Sequence, residues 1–407
     1  MRGLSIIWIT LFMIPGYTQQ LLPIQYDTNR VDHEFIINGV FDYSASAIRN
    51  DLSRKLLRGG HISDEIKDGS FENHNGINRF GGDASAEFEY RNCKADLFGK
   101  ENFGFTLKAG YYNYLSVLYS KDLFGLAFYG NERYLGQQVD FSGSRFTAIF
   151  FQKVGFGLID KRSGSSLSLN YYSISNFAEA QLRDGLLYQN SDADSVTLVA
   201  DGFFDQATNS GYFKGHGFGL DADIRFPVSF RNDKTSYIQI LMKNAGVAFF
   251  SEPVRRFSAN TTFNYTGFTF EQIYGDNAVI DDINVLDTLG FDSLTVKKYR
   301  ILPGFIQVGK IIDEMDTSRF QGYYGVRMYT TLSYAPMVYA GVHLKATENW
   351  GFGLNAGYGG YTQFRLGLYA QAKIKEFSFG LASEDLIGII SKNGRGASFV
   401  GRLSYRL

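Results

Sequence analysis

The stretch Thr362–Ile374, TQFRLGLYAQAKI, alternates apolar side chains with polar or small ones. One face carries Phe364, Leu366, Leu368, Ala370, Ala372 and Ile374, and the other carries Gln363, Arg365, Gly367, Tyr369, Gln371 and Lys373. A period of two residues predicts a β-strand with one apolar face. The stretch is longer than the roughly 5 or 6 residues typical of soluble sheets, and it reaches the roughly 9 to 11 that a tilted strand needs to cross a bilayer.

The same period appears in the segments on either side. Alternating patterns begin near residues 322, 337, 350, 376 and 396, so six strands follow one another as an antiparallel meander. In Trp350–Tyr358 the second face is almost entirely glycine, which predicts either close packing beside bulky aromatic side chains or less obstruction of the lumen by side chains. The length of these strands favours a transmembrane barrel over a soluble sandwich.

Upstream, the alternation is weaker. Candidate strands are Phe35–Ile48, Gly82–Arg91, Asn102–Gly110, Tyr112–Ser120, Leu123–Gly130, Arg145–Leu158, Ser165–Ser175, Gly215–Phe226, Tyr237–Phe250, Phe257–Phe268 and Arg300–Gly309. The total, about 17, includes false ones, and bacterial barrels have even strand numbers. We therefore predict an all-β, antiparallel, up-and-down transmembrane β-barrel of about 14 strands, within a range of about 12 to 16.

Three segments depart from the strand pattern. Asp51–Lys67 contains good helix formers and predicts two short helices near the N-terminus, in an inserted loop or inside the lumen. Glu271–Asp292 is acidic and predicts a long loop, and Gln181–Gly211 predicts a second polar excursion. No repeat or linker divides the chain.

The N-terminus begins with a basic residue and an apolar run, followed by small residues at Gly16 and Thr18. This pattern predicts a signal peptide over residues 1–18, export, and a single barrel domain over residues 19–407 in the outer membrane. The mature chain contains no apolar stretch long enough for a spanning helix, so insertion as a barrel is expected.

Composition excludes several other classes of protein. The chain has 45 Gly, 27 Tyr and 37 Phe beside 6 Pro, which is a β-rich profile. Lys and Arg number 40 against 41 acidic residues, and this balance argues against nucleic-acid binding. Cys93 is the only cysteine, which rules out an intramolecular disulfide and a four-cysteine zinc site.

Several segments can be compared with known sequences. Asn78–Asp83, Leu97–Lys100 and Tyr119–Asn131 together resemble an uncharacterised family of outer-membrane β-barrel proteins from Bacteroidota. The resemblance implies a porin-like fold, and no functional residue can be transferred with it. The ending Tyr405-Arg406-Leu407 is similar to the insertion signal of outer-membrane proteins, so we expect the barrel-insertion machinery and outer-membrane lipid as partners.

Histidine offers little support for catalysis. Of His33, His61, His74, His216 and His343, none has an identifiable nucleophile beside it in the sequence. The Gly-x-Gly runs lie inside predicted strands, where they cannot form a phosphate loop. We therefore expect no catalytic residue, no cofactor and no metal site, and we do not expect an enzyme.

Inward-facing charges remain as candidates for a site. The lumen-lining candidates are Asp83, Glu87, Glu89, Arg327, His343, Lys345, Arg365, Lys373 and Arg402, with Arg406 on the same face as Arg402. The acidic and basic sets could create a transverse field that orients polar solutes, or they could pair with one another and with the helical insert and seal the barrel. The first arrangement predicts a porin-like barrel that passes or binds small solutes. The second predicts a non-conducting barrel that docks an envelope or secretion partner, and a membrane-embedded hydrolase is a third possibility.

Overall fold

The computed structural model describes residues 25–26, 31–208, 211–229, 235–250, 253–265, 291–313, 315–391 and 393–407. The predicted signal peptide lies outside the described residues, as do residues 266–268 at the end of one predicted strand and nearly all of the predicted acidic loop. Among the described residues, no helix is both long enough and apolar enough to cross a membrane.

The elements are numbered along the chain. The strands are β1 (Gln25–Tyr26), β2 (His33–Ala45), β3 (Ile77–Asn92), β4 (Phe103–Ser120), β5 (Gln138–Asp140), β6 (Arg145–Asp160), β7 (Ser166–Gln189), β8 (Val196–Gln206), β9 (Gly215–Ser229), β10 (Thr235–Phe250), β11 (Val254–Tyr265), β12 (Phe291–Val296), β13 (Tyr299–Ile301), β14 (Phe305–Asp313), β15 (Phe320–Tyr329), β16 (Ala335–Lys345), β17 (Trp350–Gly360), β18 (Thr362–Ile374), β19 (Phe377–Ser383) and β20 (Gly396–Arg406). The α-helices are α1 (Asn50–Arg58), α2 (Asp64–Phe71), α3 (Lys121–Tyr129) and α4 (Leu386–Ile390), and short 3-10 turns cover Leu97–Gly99 and Glu132–Tyr134.

Fourteen of these strands form a closed antiparallel ring. Its order is β2, β3, β4, β6, β7, β9, β10, β14, β15, β16, β17, β18, β19 and β20, and β20 pairs again with β2. Pairing of Val40 with Val400 closes the ring in register. The predicted barrel with about 14 strands and an N-terminal helical insert is therefore confirmed.

The two ends of the barrel differ. At one end, which we call the terminus end, His33 and Leu407 exchange backbone hydrogen bonds, and short turns such as residues 161–165 and 346–349 join the strands. At the opposite, far end, the connections are longer, and they carry the four α-helices of the described chain. Short turns at one end and long loops at the other are typical of outer-membrane-type barrels.

The outer surface is apolar at mid-strand. Val342, Leu354 and Leu368 are cross-strand neighbours and remain 49%, 55% and 45% exposed. Near the terminus end, aromatic rings on six adjacent strands touch in series with centroids 4.6 to 6.5 Å apart. The rings are those of Phe377, Tyr405, Phe35, Tyr90, Phe105 and Phe156. An exposed apolar band with an aromatic girdle is the surface of a transmembrane β-barrel.

The sequence analysis places most strands correctly and mistakes one helix for a strand. Leu123–Gly130, predicted as a strand, belongs to α3, because the Ser120 hydroxyl caps the Leu123 amide at 3.0 Å and Gly130 ends the helix at a φ of 76°. The predicted strands Asn102–Gly110 and Tyr112–Ser120 are one continuous strand, β4. Arg300–Gly309 is split between β13 and β14.

The polar excursion predicted over Gln181–Gly211 is largely strand. Beyond Ile174, β7 leaves its partner β9 and continues to Gln189, pairing with β8. β8 pairs with β11, and β11 pairs with β12, so a sheet extends beyond the barrel at the far end. A bulge between Leu182 and Asp184 shifts the alternation of β7 by one residue, which interrupts the strand pattern in the sequence.

The helical insert packs against the outside of the barrel. Leu52 of α1, Phe124 of α3 and Tyr119 of β4 form a buried cluster, with Phe80 and Val117 packed against it. Phe80 and Val117 are paired across β3 and β4, on the face opposite to Glu87 and its partner Gly110. The insert therefore covers the outer face at the far end, and it does not fill the lumen.

Candidate functional site

Charged side chains meet in the middle of the barrel. Lys153 of β6 lies 2.5 Å from Glu87 of β3 and 2.8 Å from Asp221 of β9. Lys243 of β10 lies 2.8 Å from Glu87, and Lys108 of β4 lies 3.5 Å from Asp221. These five residues form the central ion-pair network. Their side chains are all less than a tenth exposed, so the network fills the lumen between strands β3 and β10.

Two local features of the backbone make this network possible. β10 is bulged between Met242 and Ala245, with Asn244 at a φ of 55°, so Asn244 is buried directly after the inward-facing Lys243. The backbone N–H of Asn244 donates a hydrogen bond of 2.8 Å to the Asp221 carboxylate. Gly110 of β4 is paired with Glu87 of β3 on one side and with Lys153 of β6 on the other. A Cβ at this position would lie 2.8 Å from the Tyr112 ring, so glycine leaves the space that the ring occupies.

Tyr112 completes the coordination of Glu87. Its hydroxyl donates to the Glu87 carboxylate at 2.5 Å, and the Lys153 ammonium lies 5.0 Å from its ring centroid. Glu87 thus accepts hydrogen bonds from two ammonium groups and a phenol. A buried carboxylate with this many donors is fully compensated, and the removal of either lysine leaves a charge imbalance inside the barrel.

Towards the far end, tyrosines close the lumen. The Tyr114 hydroxyl lies 2.7 Å from that of Tyr361, and the Tyr329, Tyr334 and Tyr361 rings pack edge to face in sequence at 4.9 and 5.1 Å. We call these four residues the aromatic cluster. The Tyr361 ring lies against Gly81 of β3, where a Cβ would clash with it at 2.0 Å. Side chains from opposite walls are therefore in contact at this level.

Two buried arginines, Arg327 and Arg365, lie beside the aromatic cluster. Arg327 binds Glu384 through two hydrogen bonds of 2.7 and 2.9 Å, and Arg365 binds Asp42 at 3.0 Å. Arg365 also lies 3.7 Å from Glu384, which joins the two pairs. Two-point contacts between a guanidinium and a carboxylate fix both side chains in orientation.

At the terminus end, the lumen contains a cavity of about 290 Å³. It is lined by Lys345, Lys373, Arg402 and Arg406, together with the acidic residues Asp313 and Glu348. The aromatic cluster and the central network contribute none of its lining residues. The interior of the barrel therefore consists of a tyrosine-filled far end, an ion-paired middle and a basic cavity at the terminus end.

The residues predicted to line the lumen fall into these different regions. Glu87 is in the central network, Asp83 contacts the aromatic cluster, and Glu89 binds Arg91 at 2.9 Å. Arg327 and Arg365 form the buried arginine pairs, and the cavity is lined by His343, Lys345, Lys373 and Arg402. The predicted acids and bases pair mainly with residues outside the predicted set, and the ion pairs of Arg327 and Arg365 do not involve the helical insert.

The sequence analysis did not identify Lys108, Lys153, Asp221 or Lys243 as site residues. The first three occupy inward positions of regular strands, so extending the alternation of β4, β6 and β9 would have found them. Lys243 could have been found in the same way, because it continues the inward alternation of Gln239 and Leu241, and the bulge in β10 changes the face only of residues beyond it.

Four of the five histidines contact a tyrosine hydroxyl. The distances are 2.8, 3.0, 2.5 and 2.7 Å for His33–Tyr90, His74–Tyr119, His216–Tyr171 and His343–Tyr369. The His343 ring is also stacked on Tyr369, with an interplanar angle of 6°. These histidines are held in place by tyrosines, and His343 forms part of the cavity lining.

The fold and interior define a transmembrane β-barrel with a filled lumen. No protein-family model matches the chain, and no curated protein matches it. Similar solved structures include the toluene transporter TodX of P. putida, at 9% identity over 92% of this chain and 89% of that one, with a TM-score of 0.36. A TodX mutant described as a monoaromatic hydrocarbon channel gives the same identity and coverage at a TM-score of 0.38. The translocator domain of the Neisseria meningitidis autotransporter NalP has 10% identity over 94% and 91% of the two chains, with a TM-score of 0.29. The barrel assignment rests on the strand pairing of this chain.

Proposed function

We propose that this protein is an outer-membrane barrel that passes small polar solutes through a lumen closed in the present conformation. The observation that carries the proposal is the central ion-pair network, which joins strands β3 and β10 through Glu87 and Lys243. In this proposal the network acts as a latch, the aromatic cluster separates when the network opens, and solutes then pass.

Buried charge supports a role in passage rather than in stability alone. Two buried ions are costly to desolvate, and well-packed apolar residues would stabilise the interior at least as well. Inside membrane proteins, ionisable residues that face the interior mark polar pathways. Five such residues in one network therefore favour a hydrophilic route through the barrel over a static filling.

A non-conducting barrel that docks an envelope partner is the alternative. It is favoured by the aromatic cluster, whose contacts join opposite walls, and by the sheet of β7, β8, β11 and β12 that extends beyond the barrel. In this alternative the network and the cluster keep the barrel rigid while the extended sheet meets the partner.

Planar-bilayer recordings distinguish these functions. Glu87→Gln removes the carboxylate charge shared by Lys153 and Lys243, so the two ammonium groups repel, and we expect open probability to rise at least about tenfold over the unaltered protein. Glu101→Gln removes a carboxylate from an exposed turn at the terminus end and is the matched control. Silence of both the unaltered protein and Glu87→Gln, in folded heat-modifiable barrels, would favour the docking alternative.

The location and origin of the protein belong to the same proposal. Cleavage after residue 18, export to the outer membrane and membership of the Bacteroidota family remain predictions from the sequence. Mass spectrometry of the outer-membrane fraction tests the first two, because the mature chain should begin at Gln19.

A further inference from the structure

The basic cavity is built on five adjacent strands, β16 to β20. One row of paired residues crosses all five and consists of Lys345, Gly351, Gln371, Gly380 and Arg402. Residues paired across a sheet share a face, so the cations at the two ends of this row point to the same side of the wall. At Gly351 a Cβ would lie 2.4 Å from the His343 ring, so glycine allows the imidazole to lie across the strand.

The cavity has an excess of positive charge. Four cations line it against two acids, and one of the cations, Arg406, is bound to Glu34 at 2.9 Å. Within the described part of the chain, neither the Lys345 ammonium nor the Arg402 guanidinium forms a hydrogen bond or an ion pair, and Glu34 attracts Arg402 only from a longer distance. This contrasts with Lys153, Arg327 and Arg365 elsewhere in the lumen, each of which binds a carboxylate.

The inner side of the cavity is covered. The Tyr369 hydroxyl and His343 Nδ1 share a hydrogen bond of 2.7 Å. Tyr369 also belongs to a buried cluster with Val40, Tyr323 and Val400. The lining also includes the turn residues Thr347, Glu348 and Asn349 at the terminus end. A ligand would therefore enter past this turn, and lipid, which contacts the outer wall, would not reach the inner row.

We propose that this cavity binds a compact, multiply charged anion, held by Lys345 and Arg402 across the row and by Lys373 beside them. A guanidinium binds carboxylate or phosphate through two parallel hydrogen bonds, and ammonium groups add point charges on either side. A volume of about 290 Å³ suits a small molecule such as a tricarboxylate or an inorganic phosphate. Binding here goes beyond the proposed passage function, since a site at one end can be occupied whether or not the lumen opens.

Isothermal titration calorimetry on the full chain in non-ionic detergent tests this site, with citrate, inorganic phosphate and chloride as probes. We expect citrate or phosphate to bind more tightly than chloride, and we expect binding to weaken as salt is added. Arg402→Gln and Lys345→Gln should each reduce the affinity at least about tenfold, because each removes a charged hydrogen-bond donor. Arg402→Lys should give an intermediate loss, since it keeps the charge but removes the planar fork.

Lys100→Gln is the matched control. Lys100 is exposed in another turn at the terminus end, so its loss removes the same charge from outside the cavity. Equal affinity for chloride and the multivalent anions, or unchanged citrate binding in both Arg402→Gln and Lys345→Gln, would overturn the proposal. Lys345 lies at the end of β16, so its variant remains a test even if Arg402→Gln fails to fold. These measurements do not depend on conductance, and the proposed function can fail without affecting them.

Discussion

Tyr329 of β15 donates a 2.9 Å hydrogen bond to Asp83 of β3 from the opposite wall of the barrel. In the order of the ring these strands are seven apart among fourteen, which is the greatest separation the ring allows. The contact lies in the aromatic cluster, where the Tyr114 and Tyr329 rings are 5.6 Å apart. The far end of the lumen is thus held shut by a direct bond across its full width.

Tyr329→Phe removes this hydrogen bond and keeps the ring. A hydrogen bond to a charged acceptor contributes about 1.5–3 kcal/mol, so we expect the free energy of unfolding to fall by about that amount. Urea titration in lipid vesicles measures the change. Tyr324→Phe, on the exposed outer face of the same strand, is the control and should leave stability unchanged. If Tyr329→Phe and Tyr324→Phe have the same free energy of unfolding, the hydrogen bond from Tyr329 to Asp83 contributes nothing to stability.

The C-terminal half of the barrel could be predicted from sequence because each strand there is regular. In β16, β17 and β18 the apolar face points outward and the other face points into the lumen, so period-two alternation persists over the whole strand. The glycines of β17 were predicted to make room for aromatic rings. Gly353 does so, since a Cβ there would lie 2.2 Å from the Tyr369 ring.

The site was less predictable because it depends on contacts between distant strands. The partners of Glu87 come from β4, β6 and β10, and alternation gives the face of each side chain but not which strands meet across the lumen. The prediction of a strand at Leu123–Gly130 was wrong for a different reason. A short apolar run such as Leu123–Tyr129 fits a buried strand or a helix equally well, and the serine cap decides the outcome.

Glu384→Gln should destabilise the barrel strongly. The change leaves the buried Arg327 without its carboxylate partner, and an uncompensated buried charge costs about 3–5 kcal/mol. Urea titration in vesicles measures the loss, and Glu376→Gln, at an exposed turn, is the control. The double variant Arg327→Met with Glu384→Leu should recover most of the stability, because it removes both charges. A double variant weaker than Glu384→Gln would mean that the ion pair contributes more than charge compensation.

His74 makes the helical insert sensitive to acid. Its Nδ1 contacts the Ser70 carbonyl at 2.8 Å and must donate, so Nε2 accepts from the Tyr119 hydroxyl at 3.0 Å. Burial, with a smaller effect from Lys121, lowers the pKa of His74 to about 4. The folded state therefore favours the neutral ring, and its contribution is complete above about pH 6.5 and is lost as the pH falls towards about 4.

Hydrogen exchange across residues 46–76 measures this effect. We expect faster exchange at pH 4.5 than at pH 7, after correction for the intrinsic rate, while β16 to β18 remain protected. His74→Gln should abolish the difference between the two pH values because it removes the titrating group. An insert that loosens equally in acid with and without the imidazole would assign the effect to another residue.

Leu354→Arg tests whether the apolar band faces lipid. Leu354 is 55% exposed at the middle of β17, and an arginine at the bilayer midplane costs about 2–4 kcal/mol in a transmembrane barrel. We expect urea titrations in vesicles to show a loss of that size. Leu332→Arg is the matched control, because Leu332 is 76% exposed in the β15–β16 turn, outside the strands, and should tolerate the charge. In a barrel whose outer face met water, both substitutions would leave stability unchanged, since an exposed arginine is well solvated. A selective loss at Leu354 would therefore place the band in the hydrocarbon region.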